Sequence, residues 1–521
     1  MKIFTSCFAL FVCASFSQSA VAQTPNFSEN IAAIIYENCT GCHRPGEIGP
    51  FSLITYEDVS SNAFAIQAAV VGKVMPPWPA NPDYRHYKDE LVLEQSEIDL
   101  IDQWVMAGSP EGDSTLTPSL PDYPDGSQLG VPDSIYLWPE PLVTLGNNKN
   151  TYREIVIATN LTEDRYIRGI EFRPDQSGYI HHADFFQDTT GTAKELDDLD
   201  PGVGFDPDTA PFWYPMNDML FNWSPGMVSQ LWPEGMGKIL RKNAHIVIDI
   251  HYAPTATPIT DQSSINIFFS DDSVRVIMLK DLIGAVTNMS NFIPANEVKT
   301  FYCKRDFDKD KSLMSVSPHM HLLGDAMKTF VVTPTNDTIP IIDCDYDFHW
   351  QYMYTFHYLI KIPAGSTAYT TAVFDNTINN PDNPHSPPQD VYWGGKTEDE
   401  MLIHFTQELE YMPGDENFLL DSSLISIPTG ISATAIENFN LQAYPNPASD
   451  KLMLILTNPG NELVNITIRD AVGKIVKHHQ RQLHSNSMVQ VTLGIGDLSP
   501  GVYVVTATTE SKQATVKVIK E

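Results

Sequence analysis

The pattern of apolar positions changes character along the chain. An apolar run from Phe8 to Phe16 follows the basic Lys2 and leads to the small residues Ala20-Val21-Ala22, which predicts an export signal over residues 1–22. From 23 to about 115, apolar residues recur at helical spacing between Pro-Gly loops. Asn30 to Tyr36 predicts a short amphipathic helix, and Glu97 to Ala107 a closing one whose apolar residues are Ile98, Leu100, Ile101, Trp104 and Val105. A Pro-rich linker over 116–134 (Pro118, Pro121, Pro124, Pro132) ends this region. Beyond it the period falls to two, as in Ile246-Val247-Ile248-Asp249-Ile250-His251-Tyr252, and predicts mostly short strands to about residue 425. After Tyr444-Pro445-Asn446-Pro447 come shorter alternating pieces, among them Val464 to Ile468, Gly501 to Val505 and a basic strand near Lys517 to Lys520. No later run is long and apolar enough to predict a helical membrane span.

The fold class expected is therefore multidomain: a small all-α domain, a long mostly antiparallel β region and a small C-terminal β-sandwich. With 521 residues the chain has length for several cores. Charge narrows the partners. Thirty-two Lys and Arg against 65 Asp and Glu leave −33 at pH 7, a surface that repels phosphate backbones and excludes nucleic acid as a partner.

Cysteine usage adds chemistry. Of six cysteines, Cys7 and Cys13 fall in the export signal. Cys39 and Cys42 belong to Cys39-Thr40-Gly41-Cys42-His43, a spacing that lets two thiols form thioethers with haem while His43 lies under the iron. Met75, in Val74-Met75-Pro76-Pro77-Trp78, is the candidate second axial ligand; its other reading is a core methionine. A lone Cys-x-x-Cys also serves zinc or redox chemistry, but the adjacent histidine and the export signal favour haem c. Cys303 and Cys344 remain, a candidate disulfide in an oxidising compartment.

Histidines gather in three places in the β region. His319 and His321 are two apart, so on a strand both face one metal. His181 and His182 are neighbours and share an ion only at a strand end or bend. His251 closes an alternating strand, with His245 on the same face as a residue supporting the ligands or an alternative ligand. Imidazole suits copper, zinc, iron or nickel, while a thioether such as Met401 shifts the choice toward Cu(I). His404 reads as a core residue or as one supporting the ligands, His349 as a packing residue, and His86, His357 and His385 as loop or surface residues.

His181-His182, His251, His319-x-His321 and Gly395-x-Thr397-x-Asp399-Glu400-Met401, in this order, resemble the copper type II, ascorbate-dependent monooxygenases, which include peptidylglycine α-hydroxylating and dopamine β-monooxygenases. The resemblance implies two jelly-roll β-sandwich halves, 135–277 and 278–425. It implies one copper held by His181, His182 and His251 for electron transfer, and a second held by His319, His321 and Met401 where oxygen binds. Residues 23–115 resemble a class I type cytochrome c domain, with Cys39, Cys42, His43 and Met75 on the haem. Residues 440–521 resemble the type A sorting domain of the type IX secretion system.

Together the resemblances imply an exported or surface-displayed monooxygenase with two copper ions and haem c. It would hydroxylate a C–H bond of a small-molecule or peptide substrate with O2. An external donor would supply electrons, and the fused haem is a route for them. A haem and copper electron-transfer or copper-binding surface protein without hydroxylation is the alternative. Arg168, Arg173 and Arg241 are candidates for a substrate carboxylate, none favoured over the others.

Overall fold

The computed structural model describes residues 24–123, 127–207, 218–227, 229–420, 440–457, 463–469, 475–482, 488–509 and 513–520. The export signal expected over 1–22 lies outside them, as do residues 421–439; the chain divides into two compact units, the first ending at Leu420. Among the described residues no helix is long and apolar enough to cross a membrane.

The described residues open with helices. A π turn at Phe27–Ile31 runs into the helix Ala32–Asn38, followed by Tyr56–Ser61, Ala63–Val71 and Gln95–Met106. Thr55 and Asp58 form a reciprocal capping box on the second helix, and Glu94 and Glu97 on the last, which satisfies backbone N–H groups that helix starts leave open. Ile98, Ile101, Trp104 and Val105 face a core with Phe27, Ile31, Ile35, Leu53 and Val59.

Two β-sandwiches follow. In the first, the sheet Thr151–Ala158, His245–Tyr252, Ile180–Asp188, Met219–Trp223 faces a sheet built from Ser134–Leu137, Ser264–Ser270, Arg165–Arg173 and Met236–Leu240. Alternation puts Ile155, Ile157, Ile248, Ile250, Ala183 and Phe185 into the core. In the second, Met278–Asp281, Leu402–Glu410, Lys311–Met320 and Tyr354–Ile362 face Val298–Asp306, Thr367–Asp375, Gly324–Val332 and Thr338–Asp345. Met314, Leu359 and Leu409 of the second sandwich join the core of the first, so apolar burial holds the two together.

The helical end is not self-contained. Residues 78–91 leave it and pack on the second sandwich. Ala80 bridges to Cys344, Asn81 N–H donates to Asp343 O (2.8 Å) and Asp345 N–H to Pro79 O (3.1 Å). Thr338–Asp345 is an edge strand, and this added segment satisfies backbone groups that the edge would expose. Tyr87 is buried in the second core and donates its hydroxyl to Ile341 O (2.5 Å). Trp78 packs on Tyr354 and Tyr352, with ring centroids 5.1 and 5.7 Å away.

The second compact unit is all β: Asn440–Tyr444, Lys451–Thr457 and Met488–Gly494 form one sheet. Ile475–Gln482, Leu463–Arg469, Gly501–Thr508 and Gln513–Lys520 form the other, and Leu452, Leu454, Ile466 and Val505 fill the space between. Tyr503 donates its hydroxyl to Ser499 O (2.8 Å), pinning the turn before its strand.

One expectation fails. Cys303 and Cys344 are both free and buried, not bridged. Cys303 pairs with Thr370, Thr370 with Thr329, and Cys344 lies on the strand beyond. Three interstrand steps put the two about 14 Å apart, twice what a disulfide tolerates. In denatured, unreduced protein both thiols are therefore expected to alkylate, and protection of both would contradict this sheet order.

His404 is fully buried in the second sandwich, and burial holds its pKa down to about 3. In the unfolded chain it takes a proton near the ordinary 6.5, so below that pH the unfolded state binds one proton more. This contribution to stability is full above 6.5 and is lost as pH falls toward 3, by up to about 1.4 kcal/mol per unit. His404→Gln is expected to narrow the stability difference between pH 7 and pH 5 in chemical denaturation; an unchanged difference would contradict the assignment.

Candidate metal centres

His181, His182 and His251 come together on the sheet of the first sandwich, their ligand atoms within 4.8 Å of one another. The pairing of Ile180–Asp188 with His245–Tyr252 slips between Ile180 and His182, so His181 is the extra residue of a β-bulge. A bulge breaks the alternation of sides, and two neighbouring histidines can then serve one centre. His182 lies directly across from His251, and Nδ1 of His181 is 3.0 Å from Nδ1 of His182. His251 Nε2–H donates to Asn150 Oδ1 (2.9 Å), while its Nδ1 is buried without a hydrogen-bond partner among the described residues. Tyr152, across from His251 on the next strand, stacks on it at 4.4 Å and hydrogen-bonds Thr397 of the second sandwich through its hydroxyl.

Burial, then the neighbouring imidazoles, depress His251 to about 2 and push His182 well below its ordinary value. Burial, then His349 and His321, bring His181 to about 4. Three uncharged imidazoles with an unpaired buried nitrogen fit a soft or borderline cation such as copper.

His319 and His321 stand at the end of Lys311–Met320, ring centroids 5.4 Å apart. Each has one nitrogen fixed by the protein: His319 Nδ1 lies 2.6 Å from Gln351 Oε1, and His321 Nδ1 lies 3.1 Å from Asp399 O. Such contacts orient the rings and leave Nε2 for a metal. Burial, then His321, lowers His319 to about 3. Met401 belongs to the loop that crosses His321, and its methyl group lies over Gly395, where an added Cβ would sit 3.8 Å from it.

Glu400 organises this loop. Its buried carboxylate accepts from His321 N–H (2.9 Å), Leu323 N–H (2.6 Å) and Met401 N–H (3.1 Å). Burial raises its pKa, and the three donors pull it back down. The motif contains Glu400, but only the structure reveals this task.

Of the segment Asp347–Gln351 the sequence expectations covered only His349, read as a packing residue. Phe348 stacks on His181 at 4.5 Å and meets His321 edge-on at 6.0 Å. His349 corrects an expectation: its side chain is half exposed, not packed. It pairs with Asp347 at 3.1 Å, which raises its pKa, and its ring lies 6.0 Å from His181. The signal available was an aromatic-rich run, Asp347-Phe348-His349-Trp350-Gln351-Tyr352, placed between two strands.

At the helical end, Cys39 caps the helix Ala32–Asn38, and His43 N–H donates to Cys39 O (2.9 Å). His43 Nδ1 is 3.0 Å from Phe51 O, leaving Nε2 free to ligate. Cys39 and Cys42 are unbonded thiols, and burial, then Cys42, pushes Cys39 up to about 12. A Cβ on Gly49 would come within 2.8 Å of the His43 ring and Cys42 O, so the loop needs glycine there. This donor set fits haem c. Met75 is half-buried after the helix Ala63–Val71, its N–H on Ala69 O (3.3 Å). Ser177 of the first sandwich donates to Gly46 O (3.0 Å), tying the loop after His43 to the segment before His181.

The arginines offered for a substrate carboxylate are engaged elsewhere: Arg168 on Phe269 O (3.2 Å), Arg173 beside Glu171 (3.7 Å) and Arg241 on Asp164 (2.9 Å). His245 lies at the far end of its strand, paired with Asp188.

Residues 442–521 match the family described as the secretion system C-terminal sorting domain. The chain therefore carries a type IX secretion signal, which directs it to the cell surface or out of the cell. No curated protein matches the chain. Among solved structures it is similar to a β-glucuronidase of Faecalibacterium prausnitzii, at 10% identity over 44% of this chain and 38% of that one, TM-score 0.13. It is also similar to Bifidobacterium dentium β-glucuronidase complexed with coumarin-3-O-glucuronide, at 9% identity over 42% and 39%, TM-score 0.14. The chain thus spans less than half the length of either, and at such scores the likeness says nothing of activity.

Glu400→Gln places an amide N–H against at least one of the three backbone donors. It is expected to cost about 1–3 kcal/mol in chemical denaturation; a loss below about 0.5 kcal/mol would show that the carboxylate does not hold the loop.

Proposed function

We propose that this chain is an exported copper-dependent monooxygenase carrying haem c in its helical region. The observation that supports it best is the pair of donor sets on facing sandwiches, three imidazoles on one and two imidazoles beside a thioether loop on the other. Copper at His181, His182 and His251, and at His319, His321 and Met401, would supply one-electron steps and oxygen activation. Haem on Cys39, Cys42 and His43, with Met75 as the candidate sixth ligand, would supply a further one-electron centre. The reaction balances as substrate C–H, O2, two electrons and two protons giving alcohol and water, with an external reductant as electron source.

The chain's own residues prepare this chemistry. Asn150, Gln351 and the Asp399 carbonyl fix one nitrogen of each of three imidazoles, so the other is presented uncharged. Glu400 holds the Met401 loop against His321. Tyr152, through Thr397, ties the first donor set to the loop of the second.

Metal analysis of the exported protein is expected to find two coppers and one haem iron. His251→Ala and His319→Ala are each expected to lose one copper, from different sites. Met401→His is expected to keep both while losing most substrate-linked oxygen uptake, because the thioether that favours Cu(I) is gone. Two coppers without any substrate-linked uptake would favour the electron-transfer alternative, and a copper-free chain would overturn both readings.

A further inference from the structure

The segment Asp347–Gln351 joins two strands of the second sandwich, yet it reaches both donor sets. Phe348 is only 7% exposed. The face of its ring covers His181, and its edge meets His321. One phenyl group thus has an imidazole of each donor set against it. The segment is anchored on both sides. Gln351 donates Nε2–H to Phe348 O (2.8 Å) while its Oε1 meets His319 Nδ1 (2.6 Å). Ser224 of the first sandwich donates its hydroxyl to Gln351 O (3.2 Å), and Tyr346 donates to Met320 O (2.6 Å) just before His321.

A phenyl ring has no lone pair to offer a metal. Two cations that share a bridging oxygen or nitrogen ligand approach to about 3.5–4 Å and need open space between them. The Phe348 ring takes up space between His181 of one set and His321 of the other, and there it excludes both a bridging ligand and the water that would supply it. We propose that Phe348 is a positioning residue that partitions the two donor sets into separate mononuclear centres. The inference rests on the copper reading and adds what sets the relation of its two sites: a non-ligating side chain fixed by its own loop.

The test uses the exported protein loaded with Cu(II), with azide as the bridging probe. The parent protein is expected to show the full electron paramagnetic resonance intensity of two isolated Cu(II) ions, with and without azide. Phe348→Ala and Phe348→Val, which shrink the side chain, are expected to keep two coppers but lose roughly half or more of that intensity on adding azide, through coupling across the bridge. Phe348→Leu retains apolar bulk and is expected to behave more like the parent. If the alanine variant does not fold, the valine variant carries the comparison. Two coppers with undiminished intensity in the folded small variants, or coupled coppers in the parent, would overturn the partition. Metal analysis separates the other failure: a parent chain with fewer than two coppers overturns the copper reading, and the partition with it.

Discussion

The centre of this chain depends on keeping imidazoles buried and uncharged. A neutral imidazole has one N–H donor and one lone pair, and a buried donor left unpaired costs free energy. The protein provides partners for His251 at Asn150, for His319 at Gln351 and for His321 at the Asp399 carbonyl. Each partner leaves the second nitrogen of its ring uncommitted to that contact. Burial and mutual repulsion then oppose protonation, so the same crowding that makes the site costly to fold makes it receptive to a cation.

From this follows the need for rigidity between the sandwiches. Met314, Leu359 and Leu409 bury the second sandwich against the first, while Ser224 and the Tyr152–Thr397 contact cross between them near the histidines. The helical end is drawn into the same unit. Its segment Pro79–Asn81 covers the edge strand Thr338–Asp345, and Ser177 holds the loop that follows His43. The haem-type motif is thus attached to both sandwiches.

Much of this was legible in the sequence where periodicity acts alone. The spacing of His319 and His321 on one strand side, the apolar face of Gln95–Met106 and the strand alternation of the last unit all follow from local geometry. The bulge at His181 was legible only as a requirement, since neighbouring histidines demand a break but do not say how it is made. What depends on strand order was not legible. Cys303 and Cys344 look like partners by elimination, yet two intervening strands separate them. Phe348 and Gln351 sit in a loop without periodicity, and residues 78–91 have no alternation that marks them as part of another domain's core.

The most direct test of the central claim is anomalous diffraction at the copper edge from crystals of copper-loaded exported protein. Two separate donor sets predict two peaks, one in bonding reach of His181, His182 and His251 and one of His319, His321 and Met401. One should lie on the His181 side, against the face of the Phe348 ring, and the other on the His321 side, at its edge. A single peak shared by both groups, or copper bound away from these histidines, would contradict it.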